Sequence, residues 1–322
     1  MRKKLLALLT ISALAVTALV GCGNSSSAEG TTAEATEQTQ ETITITDAKG
    51  EVEIPANPER IVDLSGNSDI LSVLGYSVVG TANSDAYDYT KFPTYLEDVL
   101  DGAKILGYSM QDTMDIEGIL ELNPDLIIIS SVQEKMYDQL KEIAPTVMIE
   151  LAQINWKDDV EAFAKLMNKE DVANQWLEAY ETKAKEVGET IRSTYGEDTT
   201  YLALLASGGQ LYVFDAAGIG SVFYDDMGLK KPDNMPEQEN ISLPVISYEG
   251  LAEIDTDYLF VVGTDTDLEA LHANSIYQQM RAVKEGHVVE LPSSPYFNIG
   301  YSCIGREVFL DEISSLMEKT NE

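Results

Sequence analysis

The sequence predicts an α/β protein made of two Rossmann-like lobes joined by a single long interdomain α-helix. Three observations predict it. Short β-branched runs alternate with amphipathic stretches, one unit recurs with an offset of 132 residues, and the middle of the chain holds a long helical pattern. Strand–helix alternation is the pattern of buried parallel sheets covered by helices.

Strands are expected at 42–46, 60–64, 78–81, 126–130 and 146–149, and again at 200–206, 258–263 and 287–290. The run Leu126 to Ser130 is apolar almost throughout, as strands buried on both faces are. Helices are expected at 68–74 and 117–122. From 158 to 194 the pattern is helical with a break near 168–171, and 170–195 contains no Pro and only Gly188. At 1.5 Å per residue the second segment would reach roughly 38 Å, enough to cross between lobes.

The repeat is the most informative feature. Ile116-Glu-Gly-Ile-Leu-Glu-Leu-Asn-Pro-Asp-Leu-Ile-Ile-Ile129 aligns with Tyr248-Glu-Gly-Leu-Ala-Glu-Ile-Asp-Thr-Asp-Tyr-Leu-Phe-Val261. Glu117 matches Glu249, Gly118 matches Gly250, Glu121 matches Glu253 and Asp125 matches Asp257. Each copy reads as a short helix, a turn and a buried strand. One copy on each side of a connector implies a pseudo-symmetric bilobed protein with a ligand cleft between the lobes.

The first residues follow other rules. Arg2, Lys3 and Lys4 precede an apolar run from Leu5 to Val20 that is too short to span a bilayer comfortably. Leu19-Val20-Gly21-Cys22 then reads as the processing site of a bacterial lipoprotein. The domain plan is a signal peptide at 1–21, a lipidated Cys22 and flexible tether at 22–42, a first lobe at 43–168, a connecting helix at 169–195 and a second lobe at 196–322. Diacylglycerol on Cys22, with a further acyl chain, would hold the protein to the membrane.

Composition narrows the partners. The 21 Lys+Arg stand against 55 Asp+Glu, a net charge of −34 that becomes −37 when the three cations of the leader are removed. Such a surface repels nucleic acid and anionic headgroups, so membrane contact is expected through the lipid alone. Cys22 is used for lipid, which leaves Cys303 without an intrachain partner. Two histidines, His272 and His287, cannot make a three-histidine metal site. The chain has no nucleophile elbow, P-loop or dinucleotide fingerprint, so no enzyme is expected, although chance carboxylate pairs keep a surface glycosidase as the rival of another class.

Taken in order, 57–64, 115–126, 143–147, 223–229, 246–251, 280–288 and 300–313 resemble the siderophore, haem and cobalamin class of ABC-importer binding proteins, the class III substrate-binding fold. The resemblance covers nearly all of the chain after residue 42. It implies a rather rigid, monomeric receptor at the outer face of the membrane. It also implies one permease-docking glutamate per lobe, Glu117 and Glu249, facing a dimeric permease driven by its ATPase. Family position places the ligand at loops after strand ends, and Asn67, Tyr87, Tyr108, Ser131, Tyr212, Phe223, Tyr296 and Phe297 are the expected contacts.

Relatives that bind hydroxamate siderophores carry an arginine shortly before the first docking glutamate, and 107–115 has none here. Only Arg60, Arg192, Arg281 and Arg306 remain after the leader. A triply anionic catecholate complex wants several cations, so a ferric hydroxamate is the favoured ligand. Haem, through Met110, Met114 or a tyrosine, and cobalamin are the alternatives. No resident cofactor or metal is expected.

Overall fold

The computed structural model describes residues 41–152 and 154–319. The leader, Cys22 and most of the expected tether lie outside the described residues. Strand β1 (Thr42–Asp47), at the position expected for the first strand, pairs antiparallel with β2 (Gly50–Pro55).

The first lobe is built on five parallel strands: β3 (Ile61–Asp63), β4 (Val78–Thr81), β5 (Lys104–Ile105), β6 (Leu126–Ser130) and β7 (Thr146–Ile149). Their order across the sheet is β5-β4-β3-β6-β7. The second lobe holds β8 (Tyr201–Ser207), β9 (Gln210–Phe214), β10 (Val245–Ile246), β11 (Tyr258–Gly263) and β12 (Val288–Pro292), in the order β10-β9-β8-β11-β12. Here β8, β11 and β12 are parallel, while β9 runs antiparallel to both its neighbours.

The two lobes therefore match through β3-β6-β7 and β8-β11-β12. They differ where the chain leaves the central strand. After β3 it crosses over through the helix Ser68–Val73, whereas after β8 it folds straight back. Gly208 and Gly209, at φ +59° and +78°, form the two-residue turn that such a hairpin needs. Residues 207–214 are thus mainly β9 and its turn.

The repeat folds twice into the same unit. The helix Ile116–Glu121 leads to β6, and the helix Tyr248–Leu251 leads to β11. Asp115 and Ser247 cap them by accepting the amides of Gly118 and Gly250 at 2.9 and 3.1 Å. A Cβ at Gly118 would lie 2.3 Å from the Asp115 carboxylate, so a larger residue there would displace the cap. Asp125 then accepts the Glu59 and Arg60 amides at 2.7 and 2.9 Å, ahead of β3. Asp257 accepts the Thr200 amide and hydroxyl, both at 2.8 Å, ahead of β8. In each lobe the repeat's last aspartate ties the central strand to its parallel neighbour.

Strand alternation divides the core. Leu126 and Ile128 of β6, with Tyr258, Phe260 and Val262 of β11, belong to one apolar cluster that spans both lobes and includes Tyr180 of the connecting helix. Ile127 and Ile129 face a second cluster in the first lobe, and Leu259 and Val261 a third in the second. The helix Trp156–Leu166 ends at Met167, and Asn168, at φ +52°, turns the chain into the connecting helix Glu170–Tyr195. The C-terminal helix Cys303–Glu318 packs on the connecting helix and also on the helix Ser68–Val73 of the first lobe.

Candidate functional site

Between the C-terminal ends of the two sheets lies a cleft of about 600 Å³, lined from both lobes. This is where open α/β sheets place ligands, because the loops leaving the strands converge there.

The first-lobe wall is fixed by a buried carboxylate. Asp63, at the end of β3 and fully buried, accepts the Ser65 and Ser68 hydroxyls at 2.6 Å each and the Asn67 amide at 3.1 Å. Burial pushes its carboxyl above the usual range, and these donors oppose the shift. Asn83 links the neighbouring loop, accepting the Ser68 amide at 2.9 Å and donating to the Gly66 carbonyl at 2.6 Å. Gly66 sits at φ +89°, and a Cβ there would strike Ser109 at 2.5 Å. Gln133, fully buried, accepts the Ser130 amide at 3.1 Å and donates to the Ser109 and Gln111 carbonyls at 2.6 and 2.9 Å. These bonds hold three loops as one rigid wall.

The second lobe closes one end of the cleft. The Ser294 hydroxyl donates to Asp85 at 2.5 Å, and the Ser302 hydroxyl and Cys303 amide donate to buried Asp69 at 2.6 and 2.8 Å. Tyr87 meets Phe297 edge-on, with ring centroids 5.9 Å apart, while Tyr89 stacks on Tyr108 at 4.9 Å. Burial pushes the Tyr87 and Tyr108 phenols above their ordinary value, so both remain neutral donors.

Of the residues expected to touch ligand, Asn67, Tyr87, Tyr108, Tyr212 and Phe297 line this cleft. Ser131 does not; it is exposed, and its neighbours Ser130 and Val132 are the ones on the lining. Tyr296 is also off the lining. Its hydroxyl donates to Glu312 at 2.8 Å and its ring packs edge-on against Phe309. Residues 296 and 297 share the helix Ser293–Ile299, where successive side chains diverge by about 100° and cannot both face the ligand.

The expectation for Phe223 is corrected outright. It has no exposure and packs among Tyr201, Phe260 and Phe309. The glycines before it look like a loop in sequence, but Gly220 serves close packing, since a Cβ would come 2.3 Å from the Phe214 carbonyl oxygen. Tyr95, Asp159, Tyr301 and the segment 241–243 line the cleft without having been singled out. They come together only in three dimensions, although Tyr301 lies within the stretch 300–313.

Beside the cleft is a water-sized annex of about 20 Å³, with Arg306 in its wall. Arg306 is 2% exposed, pairs with Asp226 at 2.6 Å, donates to the Ser221 hydroxyl at 2.6 Å, and lies 4.6 Å above the Trp156 ring. Asp226 also accepts the Tyr180 hydroxyl at 2.6 Å. This buried network joins the connecting helix, the helix Trp156–Leu166 and the second lobe.

Glu117 and Glu249 are exposed in the first turns of the two repeat helices. Among the described residues neither forms an ion pair.

The family model described as "Periplasmic binding protein" matches residues 65–295. The chain belongs to the periplasmic binding protein family. Among curated relatives of this periplasmic binding protein is the iron(3+)-hydroxamate-binding protein FhuD of Bacillus subtilis, 30% identical, with 93% of this chain and 94% of that protein covered. The probable siderophore-binding lipoprotein YfiY of the same organism is 28% identical over 99% of both. Among solved structures, Staphylococcus aureus SirA complexed with staphyloferrin B superposes with a TM-score of 0.68 at 26% identity, covering 87% of this chain and 99% of that one. No helix among the described residues is long and apolar enough to cross a membrane.

Proposed function

We propose that this periplasmic binding protein is the extracytoplasmic receptor of an ABC importer, that it captures a ferric siderophore, and that a hydroxamate type is favoured. One observation carries the reading: a cleft of about 600 Å³ whose two walls offer aromatic rings and short neutral polar groups. Aromatic faces and a few placed hydrogen-bonding groups suit a bulky, semi-polar complex. Among the described residues no three His, Cys, Asp or Glu gather to hold a bare ion, so iron would enter with its coordination already filled by the chelator. The hydroxamate-binding and siderophore-binding names of the relatives support the same ligand class.

In this reading the protein acts as a monomer with no resident cofactor. It is held to the outer face of the membrane by diacylglycerol on Cys22, and its two lobes present Glu117 and Glu249 to basic pockets on a permease dimer coupled to its ATPase. The test is a fluorescence titration of residues 23–322 with a ferric hydroxamate, the iron-free siderophore, haem and cobalamin. Trp156, in the annex wall, is the natural reporter. Saturable quenching by the ferric complex alone is expected. Saturation by cobalamin or haem alone would overturn the siderophore assignment.

A further inference from the structure

The cleft has a charge character that family membership leaves open. No Lys, Arg or His appears among its described lining residues. All four arginines that follow the leader are engaged elsewhere. Arg60 donates to the Leu122 and Asn123 carbonyls, and Arg192 to those of Met227 and Gly228. Arg281 pairs with Asp255 and Asp257, and Arg306 with Asp226.

The charged groups at the cleft are carboxylates. Asp159 stands on the lining, buried and accepting the Ala152 amide at 2.6 Å. Buried Asp63, Asp69 and Asp85 are bonded to residues of that lining, accepting from the Asn67 amide, the Ser302 hydroxyl and the Tyr87 amide. The aromatic lining adds rings whose faces carry negative potential and attract cations. An anionic ligand entering this space would shed water and meet no cation on the described lining, whereas a cationic one would exchange water for aromatic ring faces.

We propose that the cleft selects by charge, taking a ferric chelate with a net positive charge ahead of a neutral one of the same shape and discriminating against an anionic one. This rests on the chelate-receptor reading above and adds to it the sign of the ligand. The selecting element is the absence of a cation together with the aromatic wall formed by Tyr87, Tyr108 and Phe297.

Ferric desferrioxamine B provides the probe, because its pendant amine lies outside the iron-binding frame. The parent complex is monocationic, the N-acetyl form neutral and the N-succinyl form monoanionic, with unchanged iron coordination. Titrated into residues 23–322, the parent should bind about tenfold more tightly than the acetyl form, the size of one partly desolvated cation–π contact, and the succinyl form more weakly still. Added salt should weaken the parent and leave the acetyl form unmoved.

Val132→Arg, which puts a cation on the lining, should erase or invert the ranking, while Val132→Gln, of similar bulk, should keep it. Equal affinity for the three forms, or tightest binding of the succinyl form, overturns charge selection and leaves the receptor reading standing. Failure of all three to bind, with saturation by another class of ligand in the earlier titration, overturns both.

Discussion

Arg306 is a charge whose use the sequence leaves open. One of four arginines after the leader, it is a buried structural cation, 2% exposed and committed to Asp226 and Ser221. Arg306→Ala would leave the buried Asp226 carboxylate with the Tyr180 hydroxyl but without its countercharge, and a loss of about 3–5 kcal/mol is expected from breaking such a pair. Replacing both, as Arg306→Met with Asp226→Leu, should cost less than either single change, because no uncompensated charge remains. Urea unfolding of the three variants checks the order; a double variant weaker than both singles would contradict it. The contact residues show the same limit of sequence at this scale. Loop position places Tyr87, Tyr108 and Phe297 on the cleft, but the direction of a side chain along a short helix or a buried turn is set by packing, as Tyr296 and Phe223 demonstrate.

At the scale of elements, the connecting helix sets propensity against packing. Gly188 lies in the interior of Glu170–Tyr195, where exchange to Ala would ordinarily add about 1 kcal/mol of stability. A Cβ there would sit 2.0 Å from the Met227 carbonyl oxygen. That atom belongs to the backbone and also accepts from Arg192 at 2.7 Å, so it cannot retreat cheaply. Overpacking of about 1–3 kcal/mol should win, and Gly188→Ala should lower the urea midpoint. A raised midpoint would show that the contact relaxes freely. The repeat was legible at this scale because it uses local rules: a cap, a turn and an apolar run of strand length. Strands β2, β5, β9 and β10 were not expected. Two have only two residues each, and β9 follows a glycine turn that reads equally well as a loop.

At the scale of the whole molecule, one apolar cluster runs through both lobes and the connecting helix, and the C-terminal helix spans both. The cleft is therefore framed by elements that share a core, which favours a preformed site over wide hinge opening. The two repeat glutamates stand outside that core. Glu117→Ala combined with Glu249→Ala should leave ligand affinity within about twofold, since rim charges mainly set encounter and register with a partner. Uptake of labelled ligand by cells carrying the double variant should fall to background. A large loss of affinity in the purified variant would assign the glutamates to the ligand instead of the permease.

The sequence by itself determined the α/β class, the two lobes, the duplicated helix–strand unit and the break before the connecting helix. Each rests on periodicity within a short segment, where local physics decides the outcome, or on the recurrence of one such segment 132 residues on. Tertiary structure alone decided that β9 folds back as a hairpin, that Phe223 belongs to the core, and that every arginine after the leader is consumed by structural bonds. Those outcomes depend on which distant groups meet when the lobes close on a shared core. The charge of the cleft is a consequence of where the cations have gone, and their number alone does not reveal it.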